Sequence, residues 1–223
     1  MIGLIEASLE TLPKELWNTR KAVSLSRRMK IEPRYILLDK SLFYNEMKKY
    51  GISSKRGRPD IVYMFLNAMQ YSPLNKKGLL RVFVHTINNY IIEVNPKTRP
   101  PKSYYQFMVL VQHLFKHGRV PPSGEPLMLL RKNMSLREYL ESKGVTKPVL
   151  LWEKGERKPP VWFADKKFPP HAILVGGFPH GDFREETLQL AWKRVSIYDG
   201  IQLDAWVVAD RVLCFIENNC ATK

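Results

Sequence analysis

Cysteine is nearly absent: the chain of 223 residues has two, Cys214 and Cys220, both close to its C-terminal end. So few, so placed, give neither a disulfide framework nor the paired spacing of a zinc site, and they fit a reducing, intracellular compartment. No apolar run approaches the length needed to span a bilayer. The first residues, whose apolar character is broken by Glu6 and Glu10, lack a signal-peptide pattern. A soluble protein with no membrane partner is expected. Also missing are a Ser-His-Asp set, paired carboxylates and a Cys or His cluster at ligand spacing, which disfavours hydrolytic and metal-assisted chemistry. No metal site is expected and no catalytic residue can be named. Acidic residues are scarce as well: 21 Asp and Glu face 36 Lys and Arg, a formal charge of +15. Such a field concentrates polyanions, which makes nucleic acid the leading partner.

What is present suffices for a packed core, with 44% hydrophobic and 11% aromatic residues. Ile2 to Glu6 and Tyr35 to Asp39 are short apolar runs that predict buried strands. The stretch from Asn18 to Arg34 is basic without a reliable period and reads as a mobile arm or a short helix on a linker. A helix is expected from a possible N-cap at Ser41 to Tyr50, and another after the basic loop Ser53 to Asp60, with Pro59 at its first position. Leu79 to Thr86 and Tyr90 to Val94 flank Asn88-Asn89 as a strand pair. A proline-stiffened loop, Asn95 to Lys102, delivers a helix carrying Phe107, Leu110, Val111, Leu114 and Phe115 that ends near Gly118. An amphipathic stretch lies around Leu136 to Leu140, and a Pro- and Lys-rich insertion near residues 153–170. Ala172 to Val175 is a strand emptying into the glycine loop Gly176 to Gly181. Val195 to Tyr198 is a second short strand before Asp199-Gly200 and a helix-like run from Leu203 towards Ile216. Strands alternating with helices indicate an α/β class.

Glycines after a strand let a ligand approach the backbone, although the spacing is neither the dinucleotide fingerprint nor a phosphate loop. Gly176, Gly177 and Gly181 therefore read either as a tight turn or as a ligand loop. Asp60 either complements its helix N-terminus or holds Arg58 in one geometry for a phosphate or base edge. Lys102 and Gln106, four apart, can share a polar helix face with Arg99 at its entrance. Tyr104 and Tyr105 lie among them and could stack on bases, which tilts this face towards RNA. His85 reads as a structural histidine and His180 as a loop residue.

Lys55-Arg56-Gly57-Arg58-Pro59-Asp60-Ile61, Tyr71-Ser72-Pro73-Leu74-Asn75-Lys76, Val84-His85-Thr86 and Ile92-Glu93-Val94-Asn95-Pro96-Lys97-Thr98-Arg99-Pro100-Pro101 occur in this order. Together they closely resemble the archaeal and eukaryotic ribosome-biogenesis pseudouridine N1-methyltransferases, a branch of the SPOUT superfamily. The resemblance implies a single α/β domain over residues 1–223, with a C-terminal trefoil knot and a homodimer built around the knots. It implies S-adenosylmethionine as cofactor, held by Gly176 and Gly181 in one loop, by Val195, Ser196, Ile197, Tyr198 and Leu203 in a second, and by Leu151. RNA contacts fall on Arg58, Arg99, Lys102 and Gln106, with Asp60 steadying the first arginine.

The implied activity is N1-methylation of a pseudouridine in a small-subunit ribosomal RNA hairpin. Ribosomal proteins or assembly factors are possible partners, and the site of action is cytoplasmic in an archaeon or nucleolar in a eukaryote. Two departures stand out. The loop from Val195 to Ala205 is longer than the relatives' Leu-Ser-x-x-Pro-Leu-Ser-Ala and lacks its proline, and Gln106 stands where some relatives carry arginine. The altered loop favours an alternative, an RNA-binding assembly factor whose role needs no methyl transfer. Because the glycine loops lie far along the chain from Arg58, cofactor and RNA binding are expected to be separable by mutation.

Overall fold

The computed structural model describes residues 1–164, 171–198 and 201–220. Strand β1 (Ile2–Ala7) is followed by helices α1 (Arg20–Met29), α2 (Lys40–Lys49), α3 (Pro59–Gln70) and α4 (Pro73–Lys76). Strands β2 (Val82–Thr86) and β3 (Ile91–Val94) precede α5 (Tyr104–His117). Then come β4 (Arg119–Val120), β5 (Met128–Arg131), α6 (Leu136–Ser142), β6 (Pro148–Arg157), β7 (Ala172–Gly176), α7 (Glu185–Leu190), β8 (Lys193–Ser196) and α8 (Ala205–Cys220). Among the described residues no helix is long and apolar enough to cross a membrane.

The strands form one mixed sheet in the order β4-β5-β3-β2-β1-β7-β6-β8. One half, β1-β7-β6-β8, is parallel, as is the β1–β2 pair; β2, β3, β5 and β4 pair antiparallel. Every residue of β1 is buried, as a central strand covered on both faces requires. Alternate residues supply opposite faces. Ile2 and Leu4 belong to the same apolar cluster as Val62, Phe65 and Met69 of α3, while Ile5 belongs to a second cluster with Phe83, Leu140 and Leu150. A separate apolar cluster of Leu12, Leu16, Leu25, Phe43 and Met47 joins α1 and α2.

Helix α3 starts with Pro59 at its first position and Asp60 in its first turn, and α5 ends at Gly118, both as the sequence implies. Of the two readings of residues 18–34, the short helix is the one found, as α1. Two local expectations are corrected. Tyr35 to Asp39 is not a strand: a 3-10 turn over Pro33–Tyr35 is followed by a bridge between Thr11 and Leu37, with backbone bonds only from Leu12 to Ile36 and from Leu38 to Glu10. The apolar run is real, but it is buried as extended coil against the continuation of β1. Helix α2 is capped by Asp39, not Ser41: the Asp39 carboxylate accepts from the Ser41 backbone N–H at 2.8 Å and its hydroxyl at 2.6 Å.

The segment read as a Pro- and Lys-rich insertion begins as strand, since β6 continues to Arg157, and a 3-10 turn follows over Pro160–Ala164. Its remainder, 165–170, lies outside the described residues, as does the Asp199-Gly200 pair.

Candidate functional site

At the carboxyl ends of β7 and β8, beside Leu151 of β6, the sheet opens into a cavity of about 520 Å³, the place where open α/β sheets bind ligands. Two loops build its walls. Leaving β7, the chain stays bonded to β1: the Gly177 N–H donates to Ile5 and the Ser8 N–H donates to the Gly177 carbonyl, both at 2.8 Å. A Cβ on Gly177 would stand 2.7 Å from the Ala7 Cα, so only glycine lets these backbones meet. The loop then swings outward to Gly181, whose φ of +90° is in the left-handed region. Asp182 ties its far end to β6 by accepting from Trp152 Nε1 at 2.8 Å and Lys154 Nζ at 2.7 Å. Burial opposes ionisation of Asp182, but these bonds and one from the Phe183 N–H outweigh it and lower its pKa.

The second loop leaves β8, which spans Lys193–Ser196, so Ile197 and Tyr198 lie beyond the strand expected to contain them. The Ser196 hydroxyl folds back onto the Tyr198 carbonyl at 2.5 Å. Leu203 precedes α8 rather than beginning it. Leu151, Gly176, Gly181, Val195, Ser196, Ile197, Tyr198 and Leu203 all line this one cavity. Trp152, Asp182, Asp204 and Trp206 line it too. Sequence reasoning passed over them because nothing in their spacing links Trp152 to Asp182, and the loop before α8 shows no pattern.

In the basic loop before α3 each of the three cationic side chains closes on a carboxylate. Lys55 Nζ bonds the fully buried Glu6 carboxylate at 2.6 Å and the Asp182 carbonyl at 2.6 Å, and sits 3.9 Å from the Phe178 ring centroid. Arg56 forms a two-pronged pair with buried Glu10 at 2.7 and 2.6 Å. Arg58 alone of the three borders the cavity, and its Nε and Nη2 meet the two oxygens of Asp60 at 2.8 and 2.7 Å. That bond raises the Arg58 pKa.

At the other end of α3, Tyr71 donates to the Pro100 carbonyl at 3.0 Å, and the Lys102 ammonium lies 3.4 Å from the Tyr71 ring centroid. The Tyr63 hydroxyl donates to the Lys102 carbonyl. Residues 100–102 therefore run along α3. Lys102 precedes the N-cap Ser103, so it does not share a helix face with Gln106; Gln106 instead offers its backbone N–H to the Ser103 hydroxyl. Arg99, Lys102 and Gln106 are exposed, with Arg99 Nη1 on the carbonyls of Pro96 and Thr98 at 2.8 Å each. Tyr105 is also exposed, while Tyr104 turns inward to Asp39 at 2.7 Å; burial and that bond push its hydroxyl pKa up.

His85 is structural. Its Nδ1 accepts from the Glu6 N–H at 3.3 Å and its Nε2 meets Asn89 Oδ1 at 3.1 Å, while burial lowers its pKa to about 4, which keeps the ring neutral. His180 is an exposed residue on the cavity wall. Among the described residues no group of three or more His, Cys, Asp or Glu is placed to hold a metal ion.

The cavity offers a ligand both apolar wall and open backbone. Leu151, Val175, Ile197 and Leu203 give apolar wall, and the backbone turn at Gly181 is open, with only the Lys55 stem 3.8 Å from a Cβ placed there.

Comparison with known proteins bears on this geometry. The model of the EMG1/NEP1 methyltransferase family matches residues 2–217. The ribosomal RNA small subunit methyltransferase Nep1 of Staphylothermus marinus is 41% identical over 221 residues, covering 97% of this chain and 94% of its own. Its namesake from Pyrobaculum calidifontis is 44% identical over 207 residues, covering 92% and 91%. The crystal structure of Archaeoglobus fulgidus Nep1 bound to S-adenosylhomocysteine superposes with a TM-score of 0.86 at 34% identity, covering 99% of this chain and 98% of that one.

Proposed function

The chain belongs to the EMG1/NEP1 methyltransferase family, and on that premise we propose that it methylates small-subunit ribosomal RNA with S-adenosylmethionine, at N1 of a pseudouridine in a hairpin loop. The observation that carries this reading is the convergence of two loops and Leu151 on one cavity whose rim is Arg58. Residues assigned to the cofactor and the leading residue assigned to RNA thus border the same space, as a transfer between two bound molecules demands.

S-adenosylmethionine supplies an electrophilic methyl group. The chain's own residues bind and position: the Gly176 to Gly181 loop together with Val195, Ser196, Ile197, Tyr198 and Leu203 would hold the cofactor, and Arg58 would fix the RNA where its target base can enter the cavity. Pseudouridine offers a free N1 because its base is joined to ribose through carbon. N1 must give up its proton as the new bond forms. Asp60 is no ready acceptor, since both its oxygens are engaged by Arg58; it acts as the holder of that arginine. Arg99, Lys102 and Gln106 extend the RNA surface along α3 and α5.

The whole chain, residues 1–223, acts as one domain, with its C-terminal loops tied in a trefoil knot and two copies forming a homodimer. The single domain is supported by the one continuous sheet with α8 packed on β7 and α3; the knot and the dimer are what the resemblance implies. The archaeal relatives favour the cytoplasm as the place of action, with ribosomal proteins or assembly factors alongside.

Mass spectrometry of a pseudouridine hairpin and its uridine twin, each incubated with protein and S-adenosylmethionine, tests the reading. One added methyl on the pseudouridine hairpin alone is expected. Equal methylation of both would place the transfer on another atom. A folded sample that binds the hairpin but no cofactor in calorimetry would leave an assembly factor without methyl transfer.

A further inference from the structure

The formal charge of +15 must reside somewhere, and the loop with the densest basic sequence does not carry it, because Lys55, Arg56 and Arg58 each close on a carboxylate. Helix α1 is the opposite. It holds Arg20, Lys21, Arg27 and Arg28 with no acid, Lys30 follows at its C-cap, and no ion pair engages any of these five among the described residues. Arg20, Ser24, Arg27 and Arg28 fall at i, i+4, i+7 and i+8 and so share one exposed face, which with Asn18 and Val23 forms a shallow concavity.

The helix is held rigidly. Ala22 and Leu25 are buried against the α2 cluster, the Thr19 hydroxyl caps the N-terminus at 3.3 Å, and Lys30 closes the other end in a left-handed conformation. Concentrating like charge on a fixed surface is unfavourable for the chain alone. A polyanion held there removes that cost. Planar guanidinium forks beside Asn18 and Ser24 suit phosphate oxygens.

The position of α1 indicates which polyanion. Its lobe is fastened to both RNA-facing helices: the Lys40 N–H donates to the Gly57 carbonyl at 2.8 Å, directly before Arg58, and Tyr104 at the start of α5 donates to Asp39 at 2.7 Å. We propose that the Arg20, Arg27 and Arg28 face of α1 is a second RNA contact, gripping backbone phosphates of the stem that flanks the modified loop. This rests on the ribosomal RNA reading above and extends it from the loop to the duplex.

Two pseudouridine hairpins with the same loop, one on a short stem and one on a long stem, test it through affinity measured across a salt series. The wild-type protein should bind the long-stem RNA more tightly and with a steeper salt dependence. The triple variant Arg20→Gln, Arg27→Gln, Arg28→Gln should lose about ten-fold on the long stem, its log–log slope falling by about 0.9 for each phosphate contact removed. Its short-stem affinity and S-adenosylhomocysteine binding should be unchanged, the latter reporting an intact fold. A control triple at exposed Lys76, Lys77 and Lys116, also to Gln, alters net charge equally and should keep the long-stem advantage.

A long-stem advantage that survives in the α1 variant, or an equal loss in both triples, would overturn the proposal. So would anionic vesicles binding through α1 while both hairpins bind the variant as they do wild type. Failure of the wild type to methylate either hairpin would instead overturn the ribosomal RNA reading, while the affinity comparison still reports on α1.

Discussion

Arg58 is held by both oxygens of Asp60 while lining the cavity, and that dual placement sets what its loss should do. Arg58→Ala is expected to weaken hairpin binding by about 1–3 kcal/mol, the range for charge-assisted bonds. Asp60→Asn should weaken it through Arg58, so the double variant should bind no worse than Arg58→Ala alone. Distance along the chain suggests that cofactor and RNA binding are separable, but Arg58 lines the cavity, so Arg58→Ala is expected to lower cofactor affinity as well, whereas Arg99→Ala is not. Calorimetry with hairpin and with S-adenosylhomocysteine on each variant decides this; additive losses in the double variant would show that Asp60 acts independently.

His85 makes a second prediction. Its folded pKa, about 4, lies below the unfolded value of 6.5, so the unfolded chain binds the extra proton between these limits. Its contribution is fully present above pH 6.5 and is lost as pH falls towards 4, by roughly 3 kcal/mol in all. Urea denaturation at pH 7 and pH 4.5 should show that fall, and His85→Gln should flatten it. An equally steep decline in the variant would assign the pH dependence to other groups.

Elements were legible in sequence wherever a local signal marked their ends. Pro59 opens α3 and Gly118 closes α5 because φ restriction and left-handed freedom act within one turn. β6 carried no such signal: its first four residues are buried and its last six mostly charged and exposed, so it matches neither a buried run nor an alternating strand. Tyr35 to Asp39 erred the other way, since apolar character reports burial and not pairing. Eight of the cavity residues were legible through the resemblance, whereas the inward turn of Lys55 and Arg56 was not, because Glu6 and Glu10 are 49 and 46 residues away. At this scale the junction of β1 with the loop after β7 is the vulnerable point. Gly177→Ala should force the two backbones apart, costing about 1–3 kcal/mol as overpacking does and weakening cofactor binding. Thermal unfolding with and without S-adenosylhomocysteine measures both, and a variant with wild-type stability and ligand shift would show that the junction yields freely.

The order of strands in the whole sheet was beyond reach from local patterns, since β1 finds its partners at Val82 to Thr86 and Ala172 to Gly176. Pairings across such separations leave no periodicity, and only family resemblance anticipates them. Leu4, fully buried between Val84 and Val175, is the natural probe of this join. Leu4→Ala should cost about 2–5 kcal/mol. If the two halves of the sheet meet before the folding barrier is crossed, most of that loss should appear as slower refolding in stopped-flow kinetics. A change confined to the unfolding rate would mean that they meet after it.

The central place of β1 also constrains synthesis. Emerging from the ribosome, β1 can pair with β2 once the chain reaches Thr86, but its other edge has no partner until β7 is made. Through that interval a strand apolar except at Glu6 presents an open edge, a hazard for association with other chains. The cavity, lined from Arg58 to Val208, cannot assemble until nearly the last helix has been translated, so a nascent chain stalled before α8 would have no complete ligand pocket to stabilise it.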